Sequence, residues 1–226
     1  MQETWTFLAR GGPIMAVLGL LSLLALAFFF ERWLFLQQRN VMPRRFLDVL
    51  RKHLTEGRWR EARQLCDGQD SLAAQLASAG LHAWEQGAAA VTEALEERGR
   101  RLLSDMERFT GALGTIATVS PLLGLLGTIT GMITTFQAVD MTLQATGQVS
   151  PGALASGIWE ALVTTAAGLA IAIPAYLGYR MLLAKVDRCT LALEELAGEI
   201  SRAARAGGRS LRTADTEAEA DPAETA

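Results

Sequence analysis

A carboxylate, two adjacent threonines and a proline stand in the otherwise apolar segment "GIWEALVTTAAGLAIAIPAYLGY", residues 157–179. They are Glu160, Thr164, Thr165 and Pro174. An ionised side chain at the bilayer centre and a proline inside a helix both cost stability. A purely anchoring helix would avoid both, so we expect this segment to do more. The chemistry open to these residue types is proton uptake and release by the carboxylate, with hydroxyls to solvate it. The alternative is an ordinary helix-flanking carboxylate at the outer membrane interface.

A preceding apolar segment, "ATVSPLLGLLGTITGMITTF", carries small and polar residues at steps of three and four, which places them on one helical face. The segment at residues 157–179 repeats this pattern. The two faces comprise Ala117, Pro121, Gly124, Thr128, Gly131 and Thr135, and Gly157, Ala161, Thr164, Gly168, Ala172 and Ala175. In addition, Gly127 and Gly131 have the GxxxG spacing that is typical of close helix packing.

Two interpretations of these small-residue faces stay open. Close packing between membrane helices accounts for the glycines, because small residues let helices approach. It accounts less well for Thr128 and Thr135, because a hydroxyl in lipid either bonds back to its own helix or lines a wet surface. In the second interpretation, the two helices form a sheath around another element.

The elements that position these residues follow from the charge pattern. No Asp, Glu, Lys or Arg occurs within residues 11–30, 109–139 or 161–179, and each stretch is close to the roughly 20 residues needed to cross a bilayer. No small-residue cleavage site follows the first stretch, so we expect it to be retained. We predict an all-α integral membrane protein with three transmembrane helices, one at 13–31 and two within long helices at 93–139 and 156–205.

The cations predict the orientation. Of the 21 Lys and Arg residues, thirteen lie from Arg32 to Arg108 and seven from Arg180 onward, and none lies within residues 140–160. The positive-inside rule places the amino-terminal segment 1–12 and the short loop 140–155 outside. It places region 32–92 and the tail 206–226 in the cytoplasm. The acidic tail lacks the apolar residues needed to fold, so we expect it to be disordered.

Region 32–92 is predicted to be helical. "PRRFLDVLRKHL" and "RWREARQLC" have apolar residues at helical spacing, and Gly57 between them predicts a helical hairpin. Asp70 or Ser71 is expected to cap a further helix that runs through Trp84, and Gly87 to end it.

Several side chains are expected to be structural. His53 and His82 have no partner at metal-ligand spacing, and Cys66 and Cys189 both fall on the reducing side of the membrane. No phosphate-binding loop, nucleophile elbow or nucleotide signature occurs in the sequence. We therefore predict no enzyme activity, no catalytic residue, no metal site, no cofactor and no nucleic-acid partner.

The segments "SPLLGLLGTITGMITTF" and "ALASGIWEALVTTAAGLAIAIPAYLGY" carry a specific resemblance. In this order, and separated by a short uncharged loop, they resemble the core of the MotA/TolQ/ExbB proton-channel family, and within it the ExbB group. The resemblance covers residues 93–200 closely. The first span and its cytoplasmic loop match in layout.

This resemblance implies a pentameric ring in a bacterial inner membrane. Such a ring encloses the single transmembrane helices of an ExbD-like or TolR-like partner, whose aspartate is the essential protonatable group. The complex would use the proton-motive force to drive a TonB-like or TolA-like envelope protein. Membrane lipids are the other expected partners.

The resemblance also assigns residues. In that family the threonine of the second-span "GT" motif, the glutamate before "AL" in the third span and the threonine five residues later face or adjoin the lumen. By match these are Thr128, Glu160 and Thr165. On a regular helix, however, Thr164 lies about 40° and Thr165 about 140° from Glu160, so geometry favours Thr164 as the neighbour of the carboxylate. Which threonine faces the lumen stays open.

Rival functions also stay open. A TolQ-like subunit that serves envelope constriction fits the same motifs. A flagellar MotA-like stator is disfavoured, because that group usually has four spans and a larger cytoplasmic domain. A purely structural scaffold, in which the small-residue faces only mediate oligomerisation, is the alternative from another class.

Overall fold

The computed structural model describes residues 12–37, 41–148 and 151–219, without the side chains of residues 12, 146 and 207–219. Over these residues the chain is all-helical, as predicted. Three helices are long and apolar enough to cross a membrane: Gly12–Phe35 (α1), Ala88–Thr146 (α5) and Pro151–Glu219 (α6). The chain is therefore a multi-pass membrane protein, and the prediction of three spans is confirmed.

Helix α1 continues past residue 31, where we expected it to end, and reaches Phe35. Its last turns carry a basic and aromatic cluster. The ring of Phe28 stacks on Phe109 with ring centroids 5.6 Å apart, and the guanidinium carbon of the buried Arg32 lies 5.2 Å from the centre of the Phe109 ring. The aromatic face stabilises the buried cation of Arg32, so α1 can continue past residue 31.

Three short helices follow α1: Arg44–Thr55 (α2), Trp59–Asp67 (α3) and Leu72–His82 (α4). The turn between α2 and α3 contains Gly57 at φ +69°, which is the left-handed conformation that favours glycine. Of the two expected N-caps for α4, Ser71 is the one that caps, because its hydroxyl oxygen accepts the backbone N–H of Ala74. The helix ends at His82 instead of running through Trp84, and a 3-10 turn over Trp84–Gln86 follows.

The two long helices extend beyond their predicted bounds. Helix α5 begins at Ala88 instead of residue 93 and ends at Thr146 instead of residue 139, and it continues through Pro121. Helix α6 begins at Pro151 instead of residue 156, and proline suits the first helical position because its missing N–H would have no partner there.

Two predicted non-helical regions are consequently shorter. The loop expected at 140–155 is reduced to the residues between Thr146 and Pro151, because α5 continues with side-chain bonds such as that from Gln144 to Asp140. The segment from residue 206, expected to be disordered, is helical to Glu219, and residues 220–226 lie outside the described part. Its Ala, Arg, Leu and Glu residues favour helix even where there is too little apolar surface for a core.

The chain forms two compact units. Of the described residues, the membrane unit contains those up to Trp33 and those within Arg108–Leu183, so it holds most of α1 and the apolar parts of α5 and α6. The hairpin unit contains the described residues within Leu34–Glu107, with α2, α3 and α4, and the part of α6 from Ala184 to Glu219. The residues that the sequence singles out for chemistry all lie in the membrane unit.

Candidate functional site

The two small-residue faces lie against each other within a single chain, and we call this contact the α5–α6 seam. At each glycine of the seam, an added Cβ atom would come against a residue of the other helix. The contacting pairs are Gly124 with Thr165, Gly127 with Thr164, Gly131 with Ala161, Gly157 with Thr135 and Gly168 with Ser120. The pairs run in opposite directions along the two helices, as antiparallel packing requires. The contacts at Gly124, Gly127, Gly131, Gly157 and Gly168 therefore hold α5 and α6 of one subunit together.

The seam is closest where a glycine meets backbone. A Cβ atom at Gly168 would lie 2.7 Å from the carbonyl oxygen of Ser120, and one at Gly124 would lie 3.0 Å from the Cα atom of Thr165. At Gly157 an added Cβ would overlap the hydroxyl of Thr135. Because backbone atoms cannot rotate away as a side chain can, the first two positions leave no room for a larger residue.

One hydrogen bond crosses the seam and brings two of the predicted residues together. The half-buried Thr165 donates its hydroxyl proton to the carbonyl oxygen of Gly124, with the oxygens 2.9 Å apart. In a regular helix that carbonyl also accepts the backbone N–H of Thr128, four residues on. The hydroxyl of Thr165 and the backbone N–H of Thr128 therefore share one carbonyl group, although they lie on different helices, and we call these two residues the Thr128–Thr165 pair.

The other predicted hydroxyls bond within their own helices. Thr164 is 3 % exposed and donates to the carbonyl oxygen of Ala161 at 2.6 Å, facing Gly127 across the seam. Thr128 donates to Leu125 at 2.8 Å, and Thr135 donates to Gly131 at 2.7 Å. Back-bonding of this kind satisfies a hydroxyl without water and leaves its lone pairs available as acceptors.

Glu160 lies on the exposed side of α6 and lines a crevice of about 380 Å³ inside the membrane unit. The crevice is formed by the end of α5 and the start of α6. Its polar and small lining residues include Thr134, Thr135, Thr142, Ser156, Gly157 and Glu160. Glu160 precedes Thr165 by five residues, or about 7.5 Å along a helix axis. The carboxylate thus lies little more than one turn from Thr165 along α6, but about 140° around the helix from it.

Both predicted structural prolines lie inside continuous helices. Pro121 in α5 is half-buried and Pro174 in α6 is exposed, and neither ends its helix. Each lacks the N–H that would bond to the carbonyl four residues earlier.

Sequence reasoning missed four polar residues near the site, Ser120, Thr134, Thr142 and Ser156, and the crevice residue Thr134 directly precedes the predicted Thr135. Ser120 is fully buried, donates to the carbonyl oxygen of Ile116 at 2.7 Å and supplies the backbone that Gly168 approaches. Ser156 and Thr142 line the crevice. The spacing of Ser156, four residues before Glu160, was a usable signal. Thr142 was hidden because it fell within the predicted loop.

A second cavity, of about 940 Å³, lies in the hairpin unit and is lined by none of the predicted site residues. Trp59 and Trp84 stack there with ring centroids 3.4 Å apart. Arg51 donates two hydrogen bonds of 2.9 Å to the carboxylate of Glu199, and this contact raises the pKa of the guanidinium above its ordinary value. The pair is exposed, so we assign it a small share of the stability.

Comparison with known proteins defines the class. The model of the MotA/TolQ/ExbB proton channel family matches residues 68–195, which include the seam, Glu160 and the Thr128–Thr165 pair. The chain belongs to this family. Within the family it is most like ExbB.

Individual relatives bear this out. The chain is 37 % identical over 180 residues to "Putative biopolymer transport protein ExbB-like 1" of Synechocystis sp., an alignment that covers 77 % of this chain and 68 % of the relative. It is 48 % identical over 82 residues to "Biopolymer transport protein exbB1" of Vibrio cholerae, covering 36 % of this chain and 35 % of the relative. It is also 41 % identical over 87 residues to "Tol-Pal system protein TolQ" of Haemophilus influenzae, covering 38 % of this chain and 36 % of the relative.

Proposed function

We propose that this protein is the proton-channel subunit of an ExbB-ExbD-like complex in a bacterial inner membrane. The complex uses the proton-motive force to energise a TonB-type envelope protein for transport across the outer membrane. The observation that carries this proposal is the interhelical bond from the Thr165 hydroxyl to the carbonyl group of Gly124, on a helix whose exposed side carries the carboxylate of Glu160 five residues earlier. A structural bundle needs neither an interhelical hydroxyl bond nor an ionisable group at this place.

The proposed assembly is a homo-pentamer around one or more single-span partners of the ExbD or TolR type, with the amino terminus in the periplasm. The α5–α6 seam supports this arrangement. Because the seam is close-packed inside one chain, a proton cannot pass between α5 and α6 of a single subunit. The path must run along a surface that one subunit presents to its neighbours or to an enclosed helix.

In the proposed mechanism a proton enters from the periplasm and passes the Glu160 region. It then protonates the partner's aspartate and leaves to the cytoplasm. Thr128 and Thr165 solvate the partner's carboxyl group as its charge changes. Each elementary charge that crosses is worth about 2.3 kcal/mol for every 100 mV of membrane potential. The output is a rotation or rocking of the enclosed helices relative to the ring.

A TolQ-like role in a Tol-Pal-type envelope motor is the second candidate. The 41 % identity to the Haemophilus influenzae TolQ favours it specifically, because that match covers 87 residues, about as many as the match to the Vibrio cholerae protein. The partner would then be TolR-like and the driven protein TolA-like. Complementation of strains that lack either system distinguishes the two roles.

The test of the proposed function is a pair of substitutions at Glu160. Glu160→Gln keeps the shape and hydrogen-bonding capacity of the side chain and removes its titration. We expect the complex to assemble with its partner and to fail to drive its client under an imposed proton gradient. Glu160→Asp still titrates and should retain partial activity.

Co-purification of the partner and client-dependent uptake are measured together in these variants. If Glu160 only flanks the helix, both variants work normally, because an interfacial carboxylate contributes little to a packed helix. Full activity of Glu160→Gln would therefore remove this residue from the pathway. Loss of assembly in both variants would favour a structural scaffold.

A further inference from the structure

The crevice beside Glu160 has walls with unusual chemistry. Among the nine residues that line it in the described part of the chain, Glu160 alone is ionisable. The hydroxyls of Thr134 and Thr135 both donate to the carbonyl oxygen of Gly131, at 2.9 and 2.7 Å. Each hydroxyl has a single proton, so toward the crevice these groups present lone pairs only. The walls therefore offer hydrogen-bond acceptors together with a negative charge.

Small residues keep this space open. Ala138 and Ala153 line it from the two helices, and Gly157 leaves room for the hydroxyl of Thr135, which a Cβ atom would overlap. A volume of about 380 Å³ holds on the order of ten water molecules, since each occupies about 30 Å³ in the liquid. The crevice is therefore wide enough to be hydrated.

The inner end of the crevice is closed. One helical turn before Thr135 in α5, a Cβ atom at Gly131 would lie 3.2 Å from the Cβ atom of Ala161 in α6, and Ala161 is 2 % exposed. Beyond this contact the seam continues through Gly127 and Thr164 without a gap for water. A cation that enters the crevice thus cannot continue between α5 and α6, and the group beside which it must stop is Glu160.

We propose that this crevice is a cation-selective vestibule within each subunit, which collects hydrated protons and transfers them sideways through Glu160. This inference rests on the proposed function for the identity of the cation. The cation selectivity itself rests on the walls. A hydrated proton can only donate hydrogen bonds, so it is accepted by the carboxylate of Glu160 and by the lone pairs of Thr134, Thr135 and Thr142, whose hydroxyl protons are bonded to backbone carbonyls, whereas an anion is repelled by the carboxylate. Asp140, which directly follows the lining residue Val139, adds a second negative charge at this end of α5.

The first test measures charge selectivity at Ser156, a lining residue. Ser156→Cys is introduced into the full chain after Cys66→Ala and Cys189→Ala, and the protein is reconstituted in lipid nanodiscs so that membrane orientation does not matter. The rates of modification by a cationic (trimethylammonium) and an anionic (sulfonate) ethyl methanethiosulfonate are compared. The matched control is Ala155→Cys, an exposed neighbour that does not line the crevice.

We expect the cationic-to-anionic rate ratio at Ser156→Cys to exceed that of the control about tenfold, the lower end for a charged cleft. Adding Glu160→Gln should bring the ratio down to that of the control. Equal ratios at the two positions would overturn the proposal. So would a high ratio that Glu160→Gln leaves unchanged, because the selectivity would then have another source.

The second test identifies the cation and separates this proposal from the proposed function. Sodium chloride and N-methylglucamine chloride at equal ionic strength should slow the cationic reagent equally, and a specific slowing by sodium would overturn the assignment to protons.

Ala153→Leu, which fills the crevice, should reduce proton flux several-fold in proteoliposomes of the whole complex, with Ala155→Leu as control. Normal flux in Ala153→Leu would overturn the vestibule. Suppose that wild-type complexes carry no proton flux, while the cationic-to-anionic modification rate ratio at Ser156→Cys stays high. The proposed function then fails and the cation selectivity of the crevice stands.

Discussion

The threonine hydroxyls of α5 and α6 fall into two kinds, according to whether the carbonyl group that accepts their hydrogen bond lies on the same helix or on the other one. Thr128 and Thr164 donate to carbonyl groups of their own helices, whereas Thr165 donates to Gly124 on the other helix. Removal of an own-helix bond leaves the packing between helices intact. Removal of the Thr165 bond loses an interhelical contact. The same chemical change should therefore have different structural effects at the two family-matched threonines.

Replacement by valine, which has nearly the same shape, separates these effects. We expect Thr165→Val to destabilise the subunit by about 0.6 to 1.7 kcal/mol, the range for interhelical hydrogen bonds in membranes, and Thr128→Val to change stability much less. Both variants should lose client-driving activity while the oligomer still forms, if the two hydroxyls serve a proton path. Thermal unfolding in detergent and client-dependent uptake are measured in parallel. Normal activity of Thr128→Val would exclude its hydroxyl from the path.

Cys66 in α3 provides a pH prediction in the hairpin unit. Burial raises the pKa of its thiol from 9.0 to about 12, and the negative charge of Asp67 acts in the same direction. The folded thiol therefore keeps its proton at pH values where the unfolded thiol has lost it, so this contribution to stability declines as the pH rises above 9.0.

In the Cys189→Ala background, we expect Cys66 to resist alkylation by iodoacetamide at pH 8 until the protein is denatured. Gln69→Cys in a chain with Cys66→Ala and Cys189→Ala is the exposed control and should react at once. Mass spectrometry before and after denaturation gives the measurement. Rapid reaction of native Cys66 would contradict the buried position of this side chain, which is 2 % exposed.

Individual glycines of the long helices differ in what a methyl group would meet. At Gly168 a Cβ atom would lie 2.7 Å from a backbone carbonyl oxygen, whereas at Gly111 it would meet nothing within 4 Å. We expect Gly168→Ala to destabilise the subunit by about 1 to 3 kcal/mol, as overpacking does, because backbone must move to relieve the overlap. Gly111→Ala should be neutral or slightly stabilising, since alanine favours helix. Unfolding of the two variants in detergent gives the comparison, and equal stability would mean that the seam is loosely packed.

Sequence patterns predicted which segments are helical better than they predicted where each helix begins and ends. Apolar spacing identified α2 through Phe46, Leu47, Leu50 and Leu54, which are all buried. Charge-free stretches identified the three spans because lipid excludes ions. The ends of α5 and α6 were missed because exposed polar residues, such as Gln144 and Asp140, can stabilise a helix as well as a loop, and composition does not distinguish the two.

The partner of the small-residue faces was also beyond the sequence. Helical spacing showed that Gly124 and Gly168 lie on small faces, but two faces that pack on each other and two faces that surround a third element have the same pattern. The contact between Gly168 and Ser120 favours the first interpretation within one chain. The Thr165 bond to Gly124 was hidden as well, because a hydroxyl's acceptor on another helix depends on register, which the sequence does not encode locally.

Across the whole chain, the charge pattern makes an orientation prediction that thiol labelling tests. Gln144 lies near the end of α5 and Gln69 between α3 and α4, and both are exposed. In intact spheroplasts, a thiol reagent that cannot cross the membrane should label Gln144→Cys and should not label Gln69→Cys, in chains without the native cysteines. Labelling after lysis checks that both thiols are reactive. Labelling of Gln69→Cys before lysis would reverse the orientation.

The α5–α6 seam has a mechanical consequence for a protein of this family. Sliding one helix along the other by a single residue would drive side chains into the places where Gly124, Gly157 and Gly168 now receive backbone atoms and a hydroxyl. The pair therefore resists shear and should respond to load as one stiff rod within the membrane unit. In the complex that we propose, compliance would therefore lie at the surfaces between subunits or toward the enclosed helix, and elastic energy from a transferred proton would be stored there.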